Sequence, residues 1–419
     1  MQVHTQPELT DNTPMPPAAP SLPTRRFDVG IIGAGAVGLA TAMALAQQHH
    51  LSVIVIEAER DVAHHQTGNN SGVIHSGLYY KPGSLKAKLC TEGRELMYQF
   101  CAEHNVKHER CGKVVVALDQ AEVARLETLR ERGVANGLRN IHTLPIEAIR
   151  EREPNVAGVA GLIVEETGIV SYREVTRKYA EVVRSLGGEV HTDAKLVGVR
   201  KLSDTVILQT TRGDVECRQL INCAGLQSDR IATLCGVRPG VRIVPFRGEY
   251  YQLRPAAERL VKHLIYPVPN PAFPFLGVHF TRMAVGGIEA GPNAVLALAR
   301  HGYSWRNINP RDLADTLGFS GFWKMAAKFW RTGFGEMHRS LSRKAFHRAL
   351  ARLMPDLSID DLVPGGAGVR AQAMEPSGAL VDDFRIVRAP RMVHVLNAPS
   401  PAATASIAIG RYVAKLVAA

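Results

Sequence analysis

Apolar and polar positions divide the first half of the chain into short strands and longer helices. Two apolar runs of strand length, residues 27–32 and 53–56, flank a segment rich in small residues, and residues 84–105 repeat apolar side chains at helical spacing. The same pattern predicts strands at 114–118, 189–191, 196–199 and 220–225 and helices at 121–137 and 172–186. We therefore predict an α/β chain, with some α+β character.

The second half of the pattern predicts a separate sheet. Between residues 245 and 289 the chain alternates apolar and polar residues, as in 248–253 and 275–280, which indicates antiparallel strands. Residues 392–397 then form a predicted strand and 398–417 a predicted helix. The strand at 220–225 ends in small residues, and we expect it to return to the first sheet.

The first strand runs into three glycines with a distinctive spacing. Gly33 can turn sharply out of the strand, Gly35 lets backbone approach a pyrophosphate, and Gly38 lets the next helix lie close to the sheet. The amides at the helix start then face the phosphates. Glu57, at the end of the second strand, can accept hydrogen bonds from a ribose and disfavours a 2′-phosphate. The motif predicts FAD or NAD binding.

Composition places the chain among globular proteins. Its 419 residues are 46% hydrophobic and 21% charged, and no apolar stretch reaches the roughly 18 residues of a membrane span. Six cysteines occur without any Cys-x-x-Cys pair, which indicates reduced thiols and predicts no metal site. Residues 1–25 are proline-rich without an apolar core, so we predict a disordered extension and a cytoplasmic protein.

Positive charge is concentrated in one segment. The net charge is +11, and residues 300–350 hold ten Lys/Arg against three Asp/Glu together with all three tryptophans. Drawn as a helix, Lys324, Lys328 and Arg331 share one face, with Phe322, Trp323, Ala326, Phe329 and Trp330 opposite. Such a helix is typical of an interfacial membrane element, or its aromatics enter the protein's own core. We expect no nucleic acid partner, because no recognition module accompanies the charge.

The last predicted helix begins with small residues. Ser400 suits an N-cap and Pro401 the first turn, while Ala402 and Ala403 leave backbone amides open. A helix start of this kind can hold the negative charge of a reduced flavin.

Several strings together resemble one family. The glycine motif, Asn-Ser-Gly-Val-Ile-His-Ser-Gly-Leu-Tyr-Tyr at 70–80, Phe-Arg-Gly-Glu-Tyr-Tyr at 246–251, Gly-Val-His-Phe-Thr-Arg at 277–282 and Glu-Ala-Gly-Pro-Asn-Ala at 289–294 resemble the L-2-hydroxyglutarate oxidases/dehydrogenases. These belong to the D-amino-acid-oxidase-like FAD oxidoreductases. The resemblance covers roughly residues 26–418, and 283–287 depart from it by being less polar than expected.

The resemblance implies a fold and a reaction. It implies a discontinuous Rossmann-type FAD-binding domain, residues 26–110, 150–240 and 360–419, and an antiparallel-sheet substrate domain, residues 111–149 and 241–359. It also implies non-covalent FAD and oxidation of L-2-hydroxyglutarate to 2-oxoglutarate. A hydride would pass from the substrate α carbon to flavin N5, and the electrons would go on to oxygen or a membrane quinone.

Carried onto this chain, the family pattern assigns cofactor-binding residues. They are Gly33, Gly35, Ala36, Val37, Gly38, Glu57, Thr67, Asn70, Ser71, Gly72, Leu196, Ala224, Gly225, Gly368, Ser400, Pro401, Ala402 and Ala403.

The reaction needs a base and cationic anchors. A neutral imidazole can take the hydroxyl proton near pH 7, and His75 is the first candidate, with His279 the second. The two carboxylates of the substrate favour arginine. Arg282 and Arg370 are the best placed, Arg247 is a reserve, and Tyr251 could add a hydrogen bond or cover the flavin.

Two other functions remain open at this point. A related flavoenzyme could oxidise glycerol 3-phosphate or a secondary amine, since a phosphate would accept the same arginines. Alternatively, the chain could be a membrane-associated flavin-binding protein without this activity, because of its basic aromatic segment. That segment could hold the protein peripherally on the cytoplasmic face of the inner membrane. No feature of the sequence indicates a particular oligomeric state.

Overall fold

The computed structural model describes residues 22, 25–269 and 277–418. Most of the predicted extension, the first two residues of the predicted strand at 275–280 and the final residue therefore lie outside the described residues. Within the extension, Leu22 is buried, and its N–H donates to the carbonyl of Arg212 over 3.0 Å. The end of the extension is thus packed on the domain that follows it.

The strands, numbered in chain order, are β1 Phe27–Ile32, β2 Val53–Ile56, β3 Val73–Ile74, β4 His108–Glu109, β5 Lys113–Ala117, β6 Ile141–Pro145, β7 Ala160–Val164, β8 Gly168–Val170, β9 Glu189–His191, β10 Leu196–Lys201, β11 Val206–Thr210, β12 Gly213–Asn222, β13 Arg242–Leu253, β14 Leu264–Pro267, β15 His279–Arg282, β16 Ile288–Gly291, β17 Val295–Leu296, β18 Leu362–Met374, β19 Arg385–Ala389 and β20 Met392–Asn397.

The helices are α1 Ala36–His49, α2 Leu85–Glu103, α3 Gln120–Ala135, α4 Ile146–Arg152, α5 Tyr172–Ser185, α6 Ser228–Leu234, α7 Pro310–Leu317, α8 Ser320–Leu341, α9 Arg343–Ala351 and α10 Ser406–Ala418. Within the described residues, no helix combines the length and the apolar character needed to cross a membrane.

The first sheet has a parallel centre that surrounds β1. Strands β9, β2, β1, β12 and β20 lie side by side and parallel. Ile32, the last residue of β1, lies opposite Ile56 of β2 and Asn222 of β12. The buried side chains of α1, α5 and α10 share one apolar core with the sheet. β1 has β2 on one side and β12 on the other, and the chain connections run to opposite sides at this point of the sheet. A crevice therefore opens at the carboxyl end of β1.

The second sheet is mainly antiparallel, with the strand order β17-β13-β16-β15-β14-β5-β7-β6 and β18 alongside β13. This arrangement confirms the predicted fold class. Strands β5 and β14 pair in parallel. This is possible because a long stretch of chain, including β9 to β12 of the first sheet, connects them. Strands β7 and β18 belong to the second sheet, although the predicted boundaries of 150 and 360 place them in the cofactor domain.

The C-terminal helix starts later than the sequence predicts. Helix α10 begins at Ser406, so Ser400 is not its N-cap and Pro401 is not in its first turn. Residues 400–405 form turns instead, in which the Ala402 N–H donates to the Pro399 carbonyl and the Ala405 N–H to the Pro401 carbonyl. These bonds close separate turns ahead of the regular helix, so the helix starts only after them.

The basic segment 300–350 contains three helices, α7, α8 and α9, and the helix drawn through residues 322–331 lies within α8. Helix α8 carries the predicted basic and aromatic side chains, and its backbone departs from helical angles at Phe329, with φ −113° and ψ 19°. The single regular helix drawn from the sequence is therefore interrupted.

Candidate functional site

A cavity of about 1530 Å³ runs between the two sheets. It begins at the turn after β1, passes the ends of β2 and β12, and reaches β13, β15 and β18 of the second sheet. Its volume exceeds the roughly 300–1,000 Å³ of pockets that hold one drug-sized ligand. The cavity therefore has room for a large cofactor and a substrate together.

The turn from β1 into α1 has the geometry that the glycine motif requires. Gly33 has φ +103°, and a Cβ atom on it would lie 2.6 Å from the carbonyl oxygen of Cys223. A Cβ atom on Gly38 would lie 2.0 Å from the carbonyl oxygen of Gly33. The Ala36 N–H donates to Oγ1 of Thr67 over 3.1 Å. Tight packing here brings backbone amides to the cavity wall.

Glu57 lies at the end of β2, where the sequence places it. Its Oε2 accepts from the Ala34 N–H over 2.7 Å, and its Oε1 accepts from the Glu59 N–H over 3.0 Å. Burial raises the pKa of the Glu57 carboxyl, although these two hydrogen bonds act in the opposite direction. Glu57 thus links the glycine turn to β2 and faces the cavity beside that turn.

Most predicted cofactor residues line this one cavity. Gly38 and Gly72 are not in its wall; Gly72 has φ +68° and packs on the carbonyl of Val170. The residues in the wall are Gly33, Gly35, Ala36, Val37, Glu57, Thr67, Asn70, Ser71, Leu196, Ala224, Gly225, Gly368, Ser400, Pro401, Ala402 and Ala403. Although residues 400–403 are turns, their small side chains still border the cavity.

Asn70 shapes the cavity wall through backbone contacts. Its side-chain amide donates to the carbonyls of Gln66 and Thr67 over 3.0 and 2.7 Å, and its Oδ1 accepts from the Gly72 N–H over 2.9 Å. These bonds fix the loop that carries Thr67.

Both candidate bases line the cavity. His75 follows β3, and its Nε2 lies 3.2 Å from Oγ of Ser400. Burial lowers the pKa of His75 to about 3, and the positive charge of Lys113 adds to the effect. His279 opens β15, and burial lowers its pKa to about 4. Both rings are therefore neutral near pH 7, as a base must be.

Contacts on both sides hold the two histidines. The backbone N–H of His75 donates to Oγ1 of Thr404 over 3.1 Å, and the Cys90 thiol donates to the backbone carbonyl of His75 over 3.4 Å. Nδ1 of His279 lies 2.9 Å from the carbonyl oxygen of Gly277. This contact requires the proton on Nδ1, so Nε2 of His279 is an acceptor.

The three candidate arginines have different surroundings. Arg370, on β18, lines the cavity, and its Nη1 lies 3.5 Å from the carbonyl oxygen of Asn293. Arg282 lies outside the cavity wall, where its guanidinium donates to Glu109 over 2.9 and 3.1 Å. The structure thus brings only Arg370 of the best-placed pair to the site.

The reserve arginine, Arg247, is fully buried behind the cavity wall. It pairs with Glu249 and lies 4.1 Å from the ring centroid of Trp305. These contacts give it a structural role in β13.

On β13 the structure brings Tyr250 to the cavity instead of Tyr251. Tyr251 packs on Phe346, with ring centroids 4.8 Å apart. The register of β13 against β18 shifts between Glu249 and Tyr251. A one-residue irregularity moves a side chain to the other face of a strand, so simple alternation could not assign the two tyrosines.

Sequence reasoning missed several residues of the substrate end. Tyr79 and Tyr266 line the cavity, and Lys113 lies behind them with Nζ 4.4 and 5.0 Å from their ring centroids. Lys86 also lines the cavity and donates to Asp382 over 2.9 Å. Lys113 could have been noticed in the sequence because it lies directly before the apolar run of β5.

One group of side chains in the described residues could hold a metal ion, although the sequence predicted no metal site. Potential ligand atoms of Glu59, His65 and His301 lie within 4.8 Å of one another. The His65 ring nitrogens already lie 2.9 Å from Glu59 and 3.2 Å from the hydroxyl of Tyr303. Hydrogen bonds therefore account for the cluster.

Comparison with known proteins agrees with this geometry. Residues 28–416 match the FAD dependent oxidoreductase family. An L-2-hydroxyglutarate dehydrogenase from Indibacter alkaliphilus is 52% identical over 92% of this chain and 97% of its own length. Enzymes of the same name from Escherichia coli and, in mitochondrial form, Homo sapiens are 44% and 43% identical. The E. coli alignment covers 93% of each chain, and the human one covers 94% of this chain and 89% of the relative.

Solved structures share the fold. L-alpha-glycerophosphate oxidase from Mycoplasma pneumoniae with FAD bound has a TM-score of 0.77 at 23% identity, covering 94% of this chain and 95% of that one. Glycine oxidase from Geobacillus kaustophilus has a TM-score of 0.71 at 18% identity, with 94% and 95% covered.

Proposed function

The chain belongs to the FAD-dependent oxidoreductase family, and from this premise we propose that it oxidises L-2-hydroxyglutarate to 2-oxoglutarate. The observation that carries the proposal is the joining of two halves in one cavity. The glycine turn after β1 and Glu57, which suit a dinucleotide, line the same cavity as His75 and Arg370, which suit a hydroxy acid. Relatives named for this activity match nearly the whole chain at up to 52% identity.

The cofactor is FAD, which when bound supplies a two-electron acceptor for the hydride of the substrate. The positive φ of Gly33, the close approach at Gly38 and the carboxylate of Glu57 fit its pyrophosphate and ribose. The small side chains of 400–403 fit a flat ring system. We propose non-covalent binding, so precipitation with acid should release all the flavin into the supernatant.

His75 is the proposed base for the substrate hydroxyl. Its ring is neutral near pH 7 because burial and the charge of Lys113 lower its pKa to about 3. The contact with Ser400 places it beside the segment that borders the cofactor. Transfer of the hydroxyl proton to His75, together with loss of the hydride from the carbon that bears this hydroxyl, would turn the alcohol into a ketone, with the bound cofactor as the hydride acceptor. His279, with Nε2 as an acceptor, is the second candidate.

Arg370 is the proposed anchor for the carboxylate next to the reacting carbon. It follows Gly368, which packs on the carbonyl of Asn69 in the cofactor-binding loop. The next residue, Ala371, donates its N–H to Gln66 of the same loop over 2.9 Å. Arg370 is thus tied to the cofactor end of the substrate space, and its planar guanidinium suits a carboxylate.

A substrate panel tests this function. FAD-loaded protein should reduce a dye with L-2-hydroxyglutarate and not with its D-enantiomer, glycerol 3-phosphate or sarcosine. Activity with glycerol 3-phosphate or sarcosine alone would favour the related flavoenzymes. Failure of every substrate to bleach the flavin without oxygen would favour a flavin-binding protein without this activity.

We also propose that α8 lies on an anionic lipid surface, where a membrane quinone would accept the electrons. Trp323, Trp330, Phe334 and Leu341 are 56%, 55%, 71% and 71% exposed. Trp330, Phe334 and Leu341, spaced by 4 and 7 residues, share one stripe of the helix after the irregularity at Phe329, and Trp323 lies before it. These aromatics thus stay outside the core, unlike Phe322, which is buried.

Charge favours a lipid partner for this stripe. Lys324, Lys328 and Arg331 are exposed beside it. An apolar stripe flanked by basic residues fits the headgroup region of an anionic membrane.

Liposome flotation tests this proposal. The protein should float with vesicles that contain phosphatidylglycerol, and a Trp330→Ser/Phe334→Ser variant should stay in the lower fraction. An exposed change on α3, Val134→Ser, serves as the control and should not alter flotation. If the stripe variant only converts a dimer to a monomer, the partner is a second copy of the chain. Reduction rates with a short-chain quinone and with oxygen would then identify the acceptor.

A further inference from the structure

Lys113 is a buried lysine that has no contact with the substrate in the function proposed above. It is 1% exposed at the start of β5. In the part of the chain that the structure describes, no ion pair joins Lys113 to a carboxylate, and its Nζ lies against the rings of Tyr79 and Tyr266. Burying an ammonium group without a counter-charge is costly. The lysine therefore indicates that an anion binds here.

The groups around Lys113 do not supply that anion. Its neighbours are the two tyrosines, His75, His279 and the Cys90 thiol. The charge of Lys113 lowers the pKa of both histidines, and burial raises the pKa of Cys90 to about 12, so this thiol stays neutral. Burial also lowers the pKa of Lys113 itself to about 7, and a carboxylate bound beside it would raise this pKa again and keep the lysine charged.

Tyr79 supplies a second, independent sign of a ligand. Its ring lines the cavity. Its buried hydroxyl has no hydrogen-bond partner among the described residues. Buried polar atoms are nearly always paired, and an unpaired one calls for an explanation. A hydroxyl donor beside an ammonium group is a suitable pair of contacts for a carboxylate.

We propose that Lys113 and Tyr79 bind the distal carboxylate of the substrate and so determine its specificity for a diacid. This inference rests on the proposed function and deepens it. Arg370 is tied to the loop that carries Gln66 and Asn69, whereas Lys113 lies on β5, and the charges of both residues lower the pKa of His279. The carboxylate beside the reacting carbon therefore belongs to Arg370, and the far one to Lys113.

The inference is tested by measuring two ligands with both the unaltered protein and the Lys113→Met variant. Calorimetry on FAD-loaded protein measures binding of 2-oxoglutarate and of 2-oxopentanoate, which has the same chain length but no distal carboxylate. Lys113→Met should weaken 2-oxoglutarate binding about 10- to 100-fold, the range of a charge-assisted hydrogen bond. Binding of 2-oxopentanoate should change less than about threefold, because the group that Lys113 contacts is missing.

Controls separate this role from a structural one. Lys86→Met changes a lysine that lines the cavity itself and pairs with Asp382, and this variant should affect both ligands alike. Tyr79→Phe keeps the ring and should weaken 2-oxoglutarate binding alone, about 3- to 10-fold; this variant decides the matter if Lys113→Met does not fold. Equal losses for both ligands, or no loss, would overturn the inference. If the unaltered protein does not bind 2-oxoglutarate, the proposed function itself fails.

Discussion

Nε2 of His75 lies 3.2 Å from the hydroxyl oxygen of Ser400, although the two residues are 325 positions apart. His75 comes from the loop after β3, and Ser400 comes from the turns before α10. The contact joins the proposed base to the segment of small residues that lines the same cavity.

His75→Ala should slow the chemical step while FAD stays bound. A positioned base contributes about 10²- to 10⁴-fold to a rate, so the rate constant for anaerobic flavin reduction by L-2-hydroxyglutarate should fall by about that amount. Stopped-flow absorbance measures this rate, and the flavin-to-protein ratio checks cofactor retention. A normal rate in His75→Ala together with a slow rate in His279→Ala would transfer the role to His279.

Gly38→Ala should weaken FAD binding. The added methyl group would lie 2.0 Å from the Gly33 carbonyl oxygen, so α1 must move away from the turn that presents its amides. Overpacking of this kind costs about 1–3 kcal/mol, which corresponds to about a 10- to 100-fold loss of affinity. Titration of the apoprotein with FAD measures it.

Gly333→Ala on α8 is the matched control for that measurement. A Cβ atom there meets no other atom within 4 Å, and alanine is the better helix former. FAD affinity should be unchanged in this variant. Equal affinities for FAD in both alanine variants would show that the glycine turn does not hold the cofactor.

Asp229→Asn should destabilise the whole protein. Asp229, on α6, pairs with both terminal nitrogens of Arg300, and it also accepts from the Ile243 N–H over 3.0 Å. Both partners of the pair are nearly fully buried. Removing one charge of a buried pair costs about 3–5 kcal/mol, which urea unfolding of the FAD-loaded protein measures.

Asp61→Asn removes a comparable pair at the surface. Asp61 and Arg177 are 2.6 Å apart and about half exposed. Exposed pairs contribute about 0–1 kcal/mol, so this variant should unfold near the urea concentration of the unaltered protein. A similar small shift in Asp229→Asn would mean that the buried pair does not link α6 to the segment before α7.

Local pattern was enough to predict the glycine turn after β1 and the position of Glu57 at the end of β2. Gly33, Gly38 and Glu57 belong to one strand–helix–strand unit, so their spacing along the chain determines their spacing in the fold. The small residues at the end of the strand at 220–225 predicted its return to the first sheet, and the structure pairs it in parallel with β1. The confirmed fold class rests on this local information.

The substrate half depends on pairings between distant segments. Arg282 and Arg370 have equally suitable sequence surroundings, yet only the pairing of β18 with β13 brings Arg370 to the cavity. Because of the irregularity in β13, the side chain that lines the cavity is that of Tyr250 and not that of Tyr251. Lys113 reaches the site because β5 pairs with β14, more than 140 residues away. No periodicity within a single segment reports such contacts.

Acid should destabilise the fold through its buried histidines, and His394 is the one that lies outside the cavity wall. Asn222 donates to its Nδ1 over 3.2 Å, and burial lowers the pKa of His394 to about 4. An unfolded histidine has a pKa near 6.5. Between pH 6.5 and 4 the unfolded chain therefore binds a proton that the folded chain does not, and stability falls by up to about 1.4 kcal/mol per pH unit.

His394→Asn should reduce this slope, and the comparison isolates one residue. His65, His75 and His279 also have lowered pKa values, so some acid sensitivity should remain. The exposed His338 supplies the control, since His338→Asn changes a ring that contacts water in both states. Urea midpoints measured at half-unit steps from pH 7.5 to 4 give each slope. Equal slopes in the unaltered protein and in His394→Asn would mean that this ring is protonated in the folded chain already at pH 6.5.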